Sequence, residues 1–396
     1  MKTLSVSSFG PIKQGTVEFG DLTVLVGPQA SGKSLFVQLF KAVEDAGSIR
    51  RSLDEHGFDL RQSESPIRRY LSLYFGEGMD AIWNDKYTRI EVDGRGPFDF
   101  YKKVVAPVYG ENSKESVFFI PAQRVLVLQD GWPSPTYRRS VEAPFCMREF
   151  SDILRGLLDR FSTNRTNVFP WSRRFGILGQ LLDEAIYVGG KLKIEVNGGR
   201  KRLVLRPSGS KTSLSYCAWS AGQREFTPLM LGIDSLILEK NVIPWKVSIK
   251  TVVIEEPETG LHPQAIISFC LAALELLAVG FRVIISTHSP VVLDVIWALQ
   301  EFRELPPPKA MKAMREIFNL RSRNSWSLSV LAQCMKMKYK VFYFDSTGGT
   351  GVHIRDISTL DPGDPDNNVS GWGGLSGFSG RIADIVGRAV EAKESR

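Results

Sequence analysis

The sequence predicts an α/β fold built around a phosphate-binding loop, and three observations predict it. Leu22 to Val26 is a short apolar run with β-branched residues, followed by the glycine-rich stretch 27–34 and a helical pattern through Leu35, Phe36, Val37, Leu39 and Phe40. Residues 251–254 and 282–286 are further continuous apolar runs, the kind found in a parallel sheet covered on both faces. From residue 215 to 300 helix and strand alternate, the order that builds such a sheet.

The chain has 396 residues, 43% hydrophobic and 23% charged. That is ordinary globular composition, enough for about two to three domain-sized units, and it excludes disorder as the main state. No apolar run reaches the ~18 residues of a membrane span. The opening MKTLSVSSFG lacks the apolar core of a secretory signal, so a cytoplasmic setting without a membrane partner is expected. Cys146, Cys217, Cys270 and Cys334 lie far apart and form no CxxC pair, which argues against structural zinc and a disulfide framework. The formal charge is +7, and residues 309–340 alone carry that excess: Lys309, Lys312, Arg315, Arg321, Arg323, Lys336, Lys338 and Lys340 stand against Glu316. A local basic face attracts phosphate or an acidic protein, and it is also a common solvated helix surface.

Taken in order, residues 1–45 read as strand, turn, strand, loop, helix. Residues 46–189 are expected to form a largely helical insertion, with helical stretches at 67–75 and 148–188 and a buried strand at 117–120. Leu192, Ile194 and Val196 alternate, Asn197-Gly198-Gly199 turns, and Leu203 and Leu205 alternate back, which predicts a hairpin. Residues 190–300 are expected to join 1–45 in one domain. Residues 301–396 complete it with a basic helical segment behind Pro306-Pro307-Pro308, then a hairpin of 341–344 and 352–357 around STGGTG. Met311, Met314, Phe318 and Leu320 read as the buried face of a helix, and Asp364-Pro365-Asp366 as a loop.

Gly27-Pro28-Gln29-Ala30-Ser31-Gly32-Lys33-Ser34 fits GxxxxGK[ST]. Its glycines let the backbone curl so that successive N–H groups face phosphate oxygens, Lys33 reaches the β and γ phosphates, and the Ser34 hydroxyl ligates Mg²⁺. The helix that follows presents its N-terminus to the anion. Glu255 and Glu256 end an apolar strand: in a nucleotide fold Glu255 orients Mg²⁺ and Glu256 aligns or deprotonates the attacking water, unless the pair merely starts a solvated loop. Ser220-Ala221-Gly222-Gln223 precedes a helical run and by itself is a helix cap. His288 closes the run 283–287, as a polar contact to the γ phosphate or as a structural strand-end histidine.

The succession phosphate loop, SAGQ, hydrophobic-EE and hydrophobic-TH resembles the head of the soluble ABC-type AAA ATPases related to SMC, RecN and the overcoming-lysogenization-defect group. Phe9-Gly10-Pro11-Ile12 and EEPETGLHP (255–263) share in the resemblance, which covers 1–45 and 190–300, with a weaker echo at WGGLSGFSGRIADIV. It implies a P-loop NTPase of ABC-ATPase head type that binds ATP and Mg²⁺ and works as a head dimer or higher oligomer. Ser220, Gly222 and Gln223 would then be the signature that contacts ATP across the dimer. Phe119 to Arg124 resembles the IPAER-like segment of these ATPases, which makes Gln123 a candidate sensor of Mg²⁺ and γ phosphate; a turn glutamine is the alternative. Departures are Glu255 for the usual Asp, Gln29 for Asn and Ala221 for Gly or Ser.

The chain carries neither the coiled coil of SMC and RecN nor a recognisable TOPRIM motif. It is similar to the ATPase subunits of bacterial anti-phage systems such as PARIS and Septu, which implies a sensor or scaffold controlling a separately encoded effector, a nuclease by that analogy. A DNA repair ATPase gripping DNA or RNA through Arg200, Lys201, Arg202, Arg206 and 309–340 is the first alternative. A transporter ATPase fits least.

Overall fold

A computed structural model describes residues 1–60, 63–106, 114–133, 142–160, 168, 183–237, 248–320, 325–349, 351–375 and 385–386. The strands are β1 (Thr3–Phe9), β2 (Ile12–Glu18), β3 (Leu22–Val26), β4 (Arg89–Val92), β5 (Val117–Ile120), β6 (Leu128–Gln129), β7 (Trp132–Pro133), β8 (Lys191–Asn197), β9 (Arg200–Arg206), β10 (Leu214–Ser215), β11 (Thr251–Glu255), β12 (Arg282–Ser286), β13 (Tyr339–Asp345) and β14 (Val352–Asp356). The principal helices are α1 (Lys33–Glu44), α2 (Ala46–Glu55), α3 (Pro66–Phe75), α4 (Phe145–Asp159), α5 (Ala221–Ile237), α6 (Pro263–Val279), α7 (Pro290–Glu301), α8 (Pro307–Ile317) and α9 (Ser325–Cys334).

Nine strands form one sheet in the order β4-β1-β2-β14-β13-β3-β12-β11-β5. From β13 to β5 the neighbours are parallel, while β4, β1 and β2 pair antiparallel. The continuous apolar runs behave as two-faced strands. Val24, Val26, Val252, Ile254, Val283 and Ile285 point into a core shared with α5, α6, α7 and α8. Leu25, Val253 and Ile284 point into the opposite core with α1, α2 and α3. A period of two along uninterrupted apolar sequence is what burial on both faces requires.

The stretch 46–189, expected as a largely helical insertion, supplies α2, α3 and α4 but also β4 and β5, which are the two edges of the main sheet. Within the expected helical stretch 148–188, α4 reaches Asp159 and residues 161–167 and 169–182 lie outside the described residues. The β8–β9 hairpin forms in the expected register, Asn197 opposite Arg200, and with β10 makes a separate three-stranded sheet. The prolines at 306–308 start α8 with Pro at its first turn, where the missing N–H costs nothing. Met314, Phe318 and Leu320 are buried beneath it. β13 and β14 form the expected antiparallel hairpin. Asp366 caps the short helix 367–370 and pairs with Arg355 at 2.5 Å, a structural loop role. Of the glycine-rich echo near the C-terminus, residues 376–384 lie outside the described residues. All four cysteines are free, and among the described residues no helix is long and apolar enough to cross a membrane.

The basic segment is not one free surface. Lys338 pairs with Glu18 at 2.5 Å, and Lys340 with Asp356 at 2.9 Å and Glu18 at 3.4 Å. Lys309, Lys312 and Lys336 are exposed, and Arg321 and Arg323 lie outside the described residues.

Candidate functional site

The C-terminal edge of the parallel strands gathers four chain segments. β3 runs into the phosphate loop, β5 into Pro121–Arg124, β11 into Glu256–Glu258, and β12 into Thr287–Ser289. Gly27 and Gly32 are required by the loop's geometry. Gly27 has φ 145° and a Cβ there would lie 2.8 Å from the Phe344 carbonyl; Gly32 has φ 91° and a Cβ would lie 2.9 Å from Pro11. Ala30 adopts φ 58°, uncommon for a residue with a side chain. Pro28, Gln29 and Ala30 form the exposed crest, while Ser31 and Lys33 are buried.

Lys33 opens α1 and folds back over the loop. Its Nζ donates to the Gly27 and Pro28 carbonyls at 2.8 Å each and lies 3.4 Å from Ser31 Oγ, which itself donates to Pro28 O at 2.8 Å. Burial pushes the Lys33 ammonium down to about 8, against the pull of Glu256 and Glu258. A cation held by the loop's own carbonyls is poised to exchange them for phosphate oxygens, which bind an ammonium more strongly.

Glu255 is the last residue of β11 and is 1% exposed. Burial pushes its carboxyl up to about 7, opposed by the Ser34 hydroxyl and by the Ala122 N–H, which donates to Oε2 at 3.3 Å. Oε1 is buried without a hydrogen-bond partner. A buried carboxylate oxygen left over beside the Ser34 hydroxyl suits a hard, oxygen-seeking cation such as Mg²⁺. Among the described residues no group of three or more His, Cys, Asp or Glu side chains assembles as a metal site, so Mg²⁺ here would take the rest of its ligands from phosphate and water.

Glu256 follows with φ 40°, its N–H donating to Ser286 O at 2.8 Å. Its Oε1 lies 3.6 Å from His288 Nε2, and this contact with His288 is the main cause holding its carboxyl below the usual range, with Lys33 and Arg124 adding to it. The His288 N–H donates to Glu258 Oε1 at 2.5 Å, which fixes the turn after β12 to the turn after β11.

Gln123 is exposed and starts a short 3₁₀ turn, next to the Ala122 amide that binds Glu255. Ser220 and Gln223 form a capping box at the start of α5: Gln223 N donates to Ser220 Oγ at 3.3 Å and Ser220 N to Gln223 Oε1 at 3.1 Å. Gln223 Nε2 also donates to Ile186 O at 3.1 Å. A Cβ on Gly222 would sit 3.0 Å from Gly260 O, so its bareness lets α5 lie against the turn that follows Glu258. The contacts of this segment run to Ile186 and Gly260, and none of these hydrogen bonds reaches residues 27–34.

Two residues of the site were missed by sequence reasoning. Glu258 was only part of the EEPE string, and its role as acceptor for the His288 amide needs the β11–β12 register to be known. Arg124 is 0% exposed and donates to the carbonyls of Glu225, Glu255 and Glu256. The available signal was an arginine alone among apolar neighbours, Val125-Leu126-Val127 after Phe118-Phe119-Ile120.

A phosphate loop after β3, acids at the end of β11 and a histidine just beyond β12 thus meet at one sheet edge, the arrangement of a nucleotide-binding site. Residues 150–293 match the AAA ATPase domain family, a span that holds the capping-box helix, Glu255, Glu256 and His288 but not the phosphate loop. No curated protein matches the sequence. Among solved structures, the chain is similar to the SMC head domain from Thermotoga maritima at 13% identity and TM-score 0.36, covering 90% of this chain and 98% of that one. It is similar also to an SMC head bound to the C-terminal winged-helix domain of ScpA at 16% identity and TM-score 0.33, covering 74% and 90%.

Proposed function

We propose that the protein binds ATP with Mg²⁺, hydrolyses it, and in doing so closes head to head with a second copy. The observation that carries this is the meeting, at one sheet edge, of the Lys33 loop, a buried Glu255 with an unused oxygen, and the Glu256–His288 pair. The amides of residues 28–33 and the Lys33 ammonium cradle the phosphates. Ser34 and Glu255, with Gln123 at the rim, hold Mg²⁺, which neutralises charge on the phosphates when bound. Glu256, kept ionised at neutral pH, accepts a proton from the attacking water, and His288 holds it in place. Ser220, Gly222 and Gln223 complete the site of a partner copy, a reading supported by the hydrogen bonds of Ser220 and Gln223, none of which reaches the loop of their own chain.

The ATPase cycle serves a sensor or scaffold role toward a separately encoded effector in bacterial anti-phage defence; the support is the resemblance to such ATPase subunits. A second reading, nucleic-acid binding, is favoured by one feature: a cavity of about 790 Å³ lined by Trp132, Arg155, Arg200, Lys201 and Arg202, whose basic excess remains although Asp130 and Asp159 also line it and Asp159 pairs with Arg155 and Lys201.

Glu256→Gln is expected to retain ATP, abolish turnover and accumulate the closed dimer in size-exclusion chromatography; undiminished steady-state hydrolysis removes Glu256 as the base. Lys33→Ala is expected to lose ATP affinity, and retained affinity defeats the phosphate-loop assignment. Ser220→Arg is expected to block closure, and full activity argues against the shared site. Co-purification with the product of a neighbouring gene tests the effector.

A further inference from the structure

Arg124 has no exposed surface, yet its side chain ties together three segments of the edge. Nε donates to Glu225 O at 3.0 Å, in the early turns of α5; Nη1 donates to Glu255 O at 3.0 Å and to Pro121 O at 3.4 Å; Nη2 donates to Glu256 O at 3.1 Å. The Glu225 carboxylate lies 3.9 Å from Nε and supports the charge. All four hydrogen-bond acceptors are main-chain carbonyls, so Arg124 reads backbone position rather than side-chain identity. Only a planar fork of donors spans such a set; an ammonium of similar charge reaches fewer of them.

The backbone it holds is strained at Glu256. Glu256 has φ 40°, a region that residues with side chains occupy only where the surroundings hold them. Its two main-chain polar groups are both occupied, the N–H by Ser286 O and the carbonyl by Arg124 Nη2. Meanwhile the far side of the same guanidinium grips α5, whose first residues are Ala221 and Gly222. A shift of α5 is therefore transmitted to the carbonyl of Glu256 through one rigid group.

We propose that Arg124 is a positioning residue that makes the Glu256 backbone follow the signature helix α5, so that contact made by Ser220–Gly222 across a head dimer aligns Glu256 for hydrolysis. The inference rests on the ATPase reading given above and adds the coupling between its two halves. Displacing a reacting group by ~1 Å costs on the order of 100-fold in rate. Arg124→Lys, which keeps the charge and loses the fork, is therefore expected to lower kcat by about 10- to 100-fold, with nucleotide affinity and KM unchanged within about twofold.

The experiment measures ATP affinity, KM, kcat and thermal midpoint for R124K, S220R and the double variant, with R124Q replacing R124K if the lysine does not fold. Coupling requires non-additivity: once S220R prevents closure, adding R124K costs little more. Full turnover in R124K overturns the inference. So does a multiplicative loss in the double variant, or a fall of kcat, affinity and thermal midpoint together, which marks a merely structural arginine. Failure of the underlying ATPase reading is distinguishable, because then wild type itself does not turn over and K33A binds ATP as wild type does.

Discussion

Glu255 offers the sharpest physical test, in metal-free buffer. Its carboxyl is moved from 4.5 to about 7 by burial, with Ser34 and Ala122 compensating only in part. A folded state that holds this proton more tightly than the unfolded chain loses stability as pH rises, and the loss runs between the unfolded pKa near 4.5 and the folded value of about 7. The full difference corresponds to about 3 kcal/mol, undiminished by solvent screening because the residue is 1% exposed. Glu255→Gln keeps the shape and removes the titration. Urea unfolding of both proteins in EDTA, at pH 4.5 and pH 8, isolates the term, since every other carboxyl is common to the two. Glu255→Gln is expected to gain about 3 kcal/mol relative to wild type on going to the higher pH. Excess Mg²⁺ with a non-hydrolysable ATP analogue should stabilise wild type at pH 8 more than the variant, which keeps the phosphate loop but lacks the carboxylate. Parallel stabilities across the pH range would refute a strained, cation-seeking carboxylate.

Five further outcomes are tied to particular residues. Lys41 has no exposed surface and bridges Asp45 at 3.1 Å, Glu115 at 2.6 Å and Glu149 at 3.0 Å, so Lys41→Met takes away the cation paired with the fully buried Asp45 carboxylate and should cost about 3–5 kcal/mol in denaturant unfolding at pH 7. Burial and Glu115 push the Glu149 carboxyl well up, so Glu149→Gln should match wild type near pH 4 and equal or exceed it at pH 8; a loss at pH 8 would mean the charge is needed. Gly222→Val places a side chain against Gly260 O, where a Cβ alone is at 3.0 Å, and should lower ATP turnover by about tenfold or more while the thermal midpoint moves little; normal turnover would separate α5 from catalysis. Lys338→Glu breaks an exposed pair with Glu18 and should cost under about 1 kcal/mol, whereas Lys309→Glu with Lys312→Glu lowers the salt slope of nucleic-acid binding by about one for each phosphate no longer neutralised; a salt slope unchanged by the double reversal sinks DNA binding there.

Local chemistry made part of this molecule legible. β3, β11 and β12 announced themselves because a strand buried on both faces carries consecutive apolar residues through its middle, and the phosphate loop because only glycine fits where Phe344 and Pro11 approach. Pairing at a distance was not legible. Nothing in Val117–Ile120 says that it lies beside β11, or in Val352–Asp356 that it lies beside β2, because register is settled by cores assembled from the whole chain. The same holds for the site: Glu255, Glu256 and His288 could be singled out from strand ends, whereas Arg124 could not, since its partners are carbonyls whose positions only the finished fold defines. The basic run 309–340 misled in the opposite sense, for Glu18 and Asp356 that neutralise part of it are remote in sequence.

The place of β3 also sets an order of events during synthesis. Its two neighbours are β12 and β13, so the strand that carries the phosphate loop leaves the ribosome long before either partner exists. Gly27 takes its shape against Phe344, which is made later still. The β1–β2 hairpin closes from local contacts, whereas β3 keeps both edges open until the β12 segment has emerged and one edge open until β13 has followed.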